Sequence, residues 1–197
     1  MQAGKPLDDS QEMQQRRWIV QFEAFGVRQP DKAGVVQRFV GFVREHADAA
    51  RRELGIGHLT GSAWLVSADG QRVLLTHHKK LGLWLQLGGH ADGDPDLAAV
   101  ALREAEEESG LTDLVVEGDV FDLDCHEIPA RGAEPAHFHY DVRFVVRATG
   151  SEQFAISDES HALAWREIAE VAEDATMDES VRRMARVWML SQSRHGA

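Results

Sequence analysis

The sequence predicts an α/β fold: a mixed sheet flanked by helices, with an N-terminal helical extension over residues 1–55 and the main domain over 56–197. Three observations lead there. Apolar residues recur at helical spacing at both ends of the chain. The middle is rich in β-forming residues punctuated by turn signals. One glutamate-rich helical segment lies within that middle part.

Taken in order, Trp18, Ile19, Phe22 and Phe25 share one helical face, and Val35, Val36, Phe39, Val40 and Val43 make a second stripe. Gln29-Pro30-Asp31 separates the two. These side chains read as a packing face against the main domain. Thr60 to Ser67 reads as a strand, Asp69-Gly70 as a hairpin turn, and Arg72 to Thr76 as the returning strand. A glycine-containing segment, Leu81 to Gly93, leads into a helix from Asp96 to Ser109, which Gly110 ends. Further strands are expected over Leu114 to Asp124 and His137 to Ala148. A last helix carries Val181, Met184, Ala185, Trp188 and Met189 on one stripe.

Composition narrows the function. With 43% hydrophobic and 27% charged residues, the chain has the make-up of a globular protein rather than a disordered one. A formal net charge of −12 repels DNA or RNA, so no nucleic-acid polymer is expected as partner. A small phosphorylated substrate stays open, because divalent ions invert the local field of an acidic site. Cys125 is the single cysteine, so no internal disulfide forms, which fits a reducing compartment. Met1 to Glu12 lacks the order of a signal peptide, and no apolar run spans a membrane. The expectation is a soluble cytoplasmic protein, with the N-terminal helices offering a surface for a homodimer.

The chemistry concentrates on the predicted helix. At about 100° per residue, Glu104, Glu107 and Glu108 share one face. Carboxylates this close repel unless a cation neutralises them, and hard oxygen ligands suit Mg²⁺ or Mn²⁺. The bland alternative is a solvated acidic face. Against it, Leu97, Val100 and Ala101 project onto the same strip, and Ala98, Leu102 and Ala105 form a second apolar flank. Arg103, four positions before Glu107, is placed to balance one carboxylate.

The segment from Gly89 to Leu111 resembles the Nudix box, G-x5-E-x7-R-E-U-x-E-E-x-G-U with U apolar. Gly89 matches the opening glycine, and Arg103-Glu104-Ala105-Glu106-Glu107-Glu108-Ser109-Gly110-Leu111 fills the second half without a gap. The lead-in from Trp84 to His90 is similar as well, and the resemblance covers about residues 57 to 172. It departs at two places: Pro95 stands at the first box glutamate, between Asp94 and Asp96, and Leu87 stands where a proline is usual. Pro95 is expected as the first helical residue.

The resemblance implies a Nudix-like α/β/α sandwich and hydrolysis of a nucleoside diphosphate linked to another group. It implies Glu104, Glu107 and Glu108, with the Gly89 carbonyl, as holders of Mg²⁺ or Mn²⁺. It also makes Glu104 the first choice of general base, with Glu127, Glu134 and Glu159 as outside candidates, and Arg103 and Glu107 as further catalytic residues. A nucleoside triphosphate pyrophosphatase of the house-cleaning type and a non-catalytic nucleotide-binding module are the alternatives. An isopentenyl diphosphate isomerase fits less well, since Cys125 alone does not supply its chemistry.

A second polar group lies further on. His137, His139 and Asp141 alternate along a predicted strand, as do Asp122, Asp124 and His126 on the strand before it. They read as a substrate-binding wall or an additional metal site, or else as a water-facing sheet surface, with substrate contact preferred. His77-His78-Lys79-Lys80 reads as a polar loop able to meet phosphates. Trp84 is a candidate for stacking on a base, against a half-buried core role.

Overall fold

A computed structural model of the chain describes residues 9–78, 82–132, 134–155 and 160–195. It contains two compact units. The first comprises Met1–Thr60, His90–Pro95 and Asp119–Val142; the second comprises Gly61–Gly89, Asp96–Gly118 and Arg143–Ala197.

In the first unit, helix α1 (Asp9–Arg28) and helix α2 (Ala33–Glu45) flank a 3-10 turn at Pro30–Lys32, where proline occupies the start of the turn. The expected faces are the ones buried: Trp18, Phe22 and Phe25 on α1, and Val36, Phe39, Val40 and Val43 on α2. Ile19 and Val35 sit at the edges, and Phe42 joins the core. The Phe22 and Phe39 rings meet edge to face at 5.2 Å, and Phe42 stacks on Tyr140 at 3.8 Å. Gln15, buried on the same face of α1, donates its amide to the Val43 carbonyl at 2.6 Å.

Among the described residues, seven strands form one sheet: β1 (Gly57–Val66), β2 (Arg72–His78), β3 (Trp84–Leu85), β4 (Leu87–His90), β5 (Leu114–Ile128), β6 (His137–Ala148) and β7 (Ser160–Glu167). The order is β3-β2-β1-β6-β5, with β4 paired to β1 and β7 to β2. The hairpin turn is where Asp69-Gly70 placed it. Gly70 takes a φ of 72° and donates its N–H to Ser67 at 2.9 Å, while the Ser67 hydroxyl donates to Asp69 at 2.6 Å. β1 and β2 are longer than expected, β5 runs on to Ile128, and β6 keeps its expected bounds. β3, β4 and β7 are corrections to the sequence reading. Each is a strand because a neighbour pairs with it: β7 runs antiparallel to nearly all of β2, from Arg72↔Glu167 to His78↔Ser160.

The second unit holds α3 (Leu97–Ser109), α4 (Ile168–Glu173) and α5 (Glu179–His195). α5 buries Val181, Met184, Ala185 and Trp188, and the Trp188 indole donates to the Gly70 carbonyl at 2.9 Å. Met189 falls off this stripe and is exposed. Among the described residues, no helix is long and apolar enough to cross a membrane.

Candidate active site and a histidine cluster

Helix α3 begins one residue later than the sequence suggested. Asp96 is its N-cap, its carboxylate accepting the Ala99 N–H at 3.1 Å. Pro95 therefore precedes the cap instead of opening the helix. Its carbonyl accepts the Trp18 indole at 3.0 Å and the Gln14 amide at 3.1 Å, so α1 is fastened to the residue that replaces the box glutamate. At the other end, Gly110 adopts φ 69° and donates to the Glu106 carbonyl, as a left-handed C-terminal residue does.

The apolar strip of α3 is buried as expected: Leu97, Val100, Ala101 and Ala105 are within 3% of full burial. It lies directly on β1 at Gly61, where an added Cβ would come within 2.8 Å of the Leu97 carbonyl and the Val100 side chain. That contact fixes which way the acidic end of the helix faces. Glu104 and Glu108 are half-buried and Glu107 is exposed. Glu108 accepts the Gly88 N–H at 2.8 Å. Glu104 lies so close to Gly89 that a Cβ there would fall 2.3 Å from its Oε2. Two of the three carboxylates thus converge on the Gly88-Gly89 backbone of β4, and Arg103 meets Glu104 with Nη2–Oε1 at 3.4 Å. The donor set is all oxygen, and the glycine leaves the space a carboxylate needs. The residues present therefore fit a hard divalent cation.

Trp84 is half-buried, its ring 5.2 Å from that of His77 with the Arg166 guanidinium 5.9 Å from its centre. Lys79, Lys80 and Glu159 lie outside the described residues; Glu127 and Glu134 are exposed.

The alternating residues of β6 do not form a water-facing surface. His137 is 6% and Asp141 2% exposed. Asp141 accepts the Thr60 hydroxyl at 2.9 Å, which gives it a buried structural partner. His137 Nδ1 lies 3.0 Å from the Pro135 carbonyl and its Nε2 lies 3.3 Å from His139 Nε2. β5 does pair with β6, and the His126 and His139 rings stand 5.7 Å apart, with His126 Nδ1 3.2 Å from Asp124. The sequence reading missed two members of this group, His58 on β1 and His90 on β4, whose rings lie 4.8 and 5.2 Å from that of His139. Burial pushes His58 down to about 4 and lowers His90 and His139 as well, so all three are neutral at neutral pH. The signal was present: His58, Thr60 and Ser62 alternate along a strand buried over its whole length.

Residues 58–187 match the NUDIX domain family. The chain belongs to the Nudix family. Its members are hydrolases of the pyrophosphohydrolase type, and the fold is the α/β Nudix fold with a mixed, curled sheet and the two N-terminal helices. Among solved structures, a C. elegans Ap4A hydrolase in a binary complex superimposes with a TM-score of 0.54 at 17% identity, over 68% of this chain and 97% of that one. A MutT protein from Methanosarcina mazei Go1 gives 0.54 at 19% identity, over 71% and 97% of the two chains. A Nudix hydrolase from M. smegmatis gives 0.50 at 22% identity, over 71% and 88%. No curated protein matches the chain in sequence. At these identities the likeness concerns the Nudix fold.

Proposed function

We propose that this Nudix protein is a divalent-metal-dependent hydrolase of a diphosphate linkage in a nucleoside diphosphate joined to another group, such as a nucleotide sugar. The carrying observation is the approach of Glu104 and Glu108 to the Gly88-Gly89 backbone. Glu104, Glu107 and Glu108, with the Gly89 carbonyl, would hold Mg²⁺ or Mn²⁺. When bound, the ion supplies charge compensation for the diphosphate and acidifies a water. Glu104 accepts the proton of the attacking water, and Arg103 holds that carboxylate in place. Phosphoryl transfer asks chiefly for position and electrostatic stabilisation, which residues on one rigid helix provide. Trp84 offers a ring for a base to stack on, and His137 and His139 offer polar contacts for the rest of the substrate. Asp141, committed to Thr60, serves by holding β6 in register. Residues 1–55 act as an extension to a Nudix domain of 56–197. The protein acts in the cytoplasm on small molecules.

A panel of nucleoside diphosphate derivatives with Mg²⁺, read by phosphorus NMR, tests this. Two monophosphate products support the proposal. A monophosphate plus pyrophosphate from a nucleoside triphosphate would replace it with the house-cleaning reading, and tight nucleotide binding without product would replace it with a binding module. Glu108→Gln keeps an acceptor for the Gly88 N–H, so the variant should fold normally and lose Mg²⁺-dependent turnover. Near-normal turnover would remove the central claim.

A further inference from the structure

Within the first unit the fold gathers imidazoles that the hydrolytic step itself does not use, and of the three only His139 also has a proposed substrate contact. His58 comes from the start of β1, His90 from the end of β4 and His139 from β6, and each offers a ring nitrogen within 4.8 Å of the others. Their ring centres are 4.9, 4.8 and 5.2 Å apart. Three elements distant in sequence bring these rings together, so the grouping is a property of the fold.

His58 carries the argument. It is 2% exposed, and neither of its ring nitrogens has a hydrogen-bond partner among the described residues. A neutral imidazole has one N–H and one lone pair, and burying both unmet costs stability that an apolar residue would not forfeit. The lone pair of a buried, uncharged imidazole is suited to a metal ion. The surroundings supply the usual outer support. His137 is anchored at Nδ1 by the Pro135 carbonyl, which places the His137 proton there and leaves its Nε2 to accept from His139 at 3.3 Å. His139, donating through Nε2 to His137, thus has its tautomer and orientation set from behind, as metal ligands commonly do.

We propose that His58, His90 and His139 form a binding site for a borderline divalent cation of the Zn²⁺ class, with a fourth position left for water or a ligand oxygen. Three imidazoles select against Mg²⁺, which prefers oxygen, and match the three-histidine arrangement of open zinc sites. The ligand set therefore differs in kind from the carboxylates of α3. With Zn–N bonds of about 2.0–2.1 Å, tetrahedral ligand atoms stand about 3.4 Å apart. The ring nitrogens, which lie within 4.8 Å of one another, would have to draw in by at most about 1.4 Å to reach that value.

The test uses the full chain, stripped with chelator and refilled with Zn²⁺ in excess Mg²⁺, with bound metal counted after desalting. Co²⁺ replaces Zn²⁺ in a parallel sample, and its visible d–d bands report coordination. The expected result is about one Zn²⁺ per chain and intense bands of a four-coordinate Co²⁺ site. His90→Asn and His139→Gln alter half-buried residues and avoid the buried His58. Each should weaken retention by roughly tenfold or more while circular dichroism stays native. The combined Glu104→Gln, Glu107→Gln, Glu108→Gln variant should retain Zn²⁺ as the unaltered chain does. No retained Zn²⁺ in the unaltered chain, equal retention in both histidine variants, or loss of Zn²⁺ with the glutamates would each overturn the proposal.

Discussion

Gly89→Ala separates the chemistry of the proposed site from its folding. The added methyl would lie 2.3 Å from Glu104 Oε2 and 2.6 Å from its Cδ, whereas ordinary contact begins near 3.4 Å. The atom that must yield is the far end of a half-buried side chain, so the carboxylate can retreat by about 1 Å while the backbone stays put. A displacement of that size at a reacting group costs about 10²-fold in rate, or ~2.7 kcal/mol of transition-state stabilisation. Gly88→Ala is the contrasting change. Its methyl would meet the Ser62 Cβ at 2.7 Å and Cα at 2.8 Å, and the backbone of β1 cannot move aside. That substitution should cost about 1–3 kcal/mol of stability or more, as overpacking does. Steady-state kcat/KM on the best substrate of the panel, beside urea denaturation of both variants, reads the two effects. Gly89→Ala should lower kcat/KM about a hundredfold with its urea midpoint nearly unchanged. Unaltered turnover in that variant would show that the approach of Glu104 to β4 has no part in catalysis.

Two further outcomes follow from the first unit. Trp18→Phe removes the indole N–H from the Pro95 carbonyl, and Gln14 still donates there, so no acceptor is stranded. The loss should be about 0.5–1.5 kcal/mol in urea denaturation, and a loss beyond ~3 kcal/mol would mean that α1 depends on more than this bond. Cys125 is half-buried, and burial pushes its thiol from 9.0 up to about 11. The folded chain therefore holds about a hundredfold less thiolate at pH 8 than the unfolded chain, and alkylation should slow accordingly. Because the folded form keeps its proton longer, stability from this group is full below pH 9 and declines as pH rises toward 11. Equal alkylation rates in folded and denatured protein at pH 8 would refute the burial effect.

What was legible in the sequence followed from local periodicity. Leu97, Val100 and Ala101 sit on the strip that carries the glutamates, and that strip is the buried one. A helix has only one way to satisfy such a pattern, so burial and the direction of the acidic end could be read together. The strands β3, β4 and β7 were not legible, because a two- to eight-residue strand is decided by the partner that accepts its hydrogen bonds. The polar face of β6 was half legible. Alternation puts His137, His139 and Asp141 on one side of the strand, but it carries no information on what lies opposite, so the burial of His137 and Asp141 could not be read from it.

His58 shows where such a reading could go further. Its strand is buried at every one of ten positions, yet places His58, Thr60 and Ser62 at alternate sites. Thr60 meets Asp141 at 2.9 Å, and Ser62 occupies the space that Gly88 leaves free. Thr60 thus answers a specific group from another strand. By the same logic His58, whose nitrogens have no hydrogen-bond partner among the described residues, calls for a partner other than a side chain. In the second unit Gly88 and Gly89 lie against the carboxylates of α3, and in the first unit His90 belongs to the imidazole group. On the two proposals, the α3 carboxylates would hold a hard ion through oxygen, and the three imidazoles a borderline ion through nitrogen. Mg²⁺ and Zn²⁺ should accordingly not compete for one site, and saturating Mg²⁺ should leave Zn²⁺ retention intact.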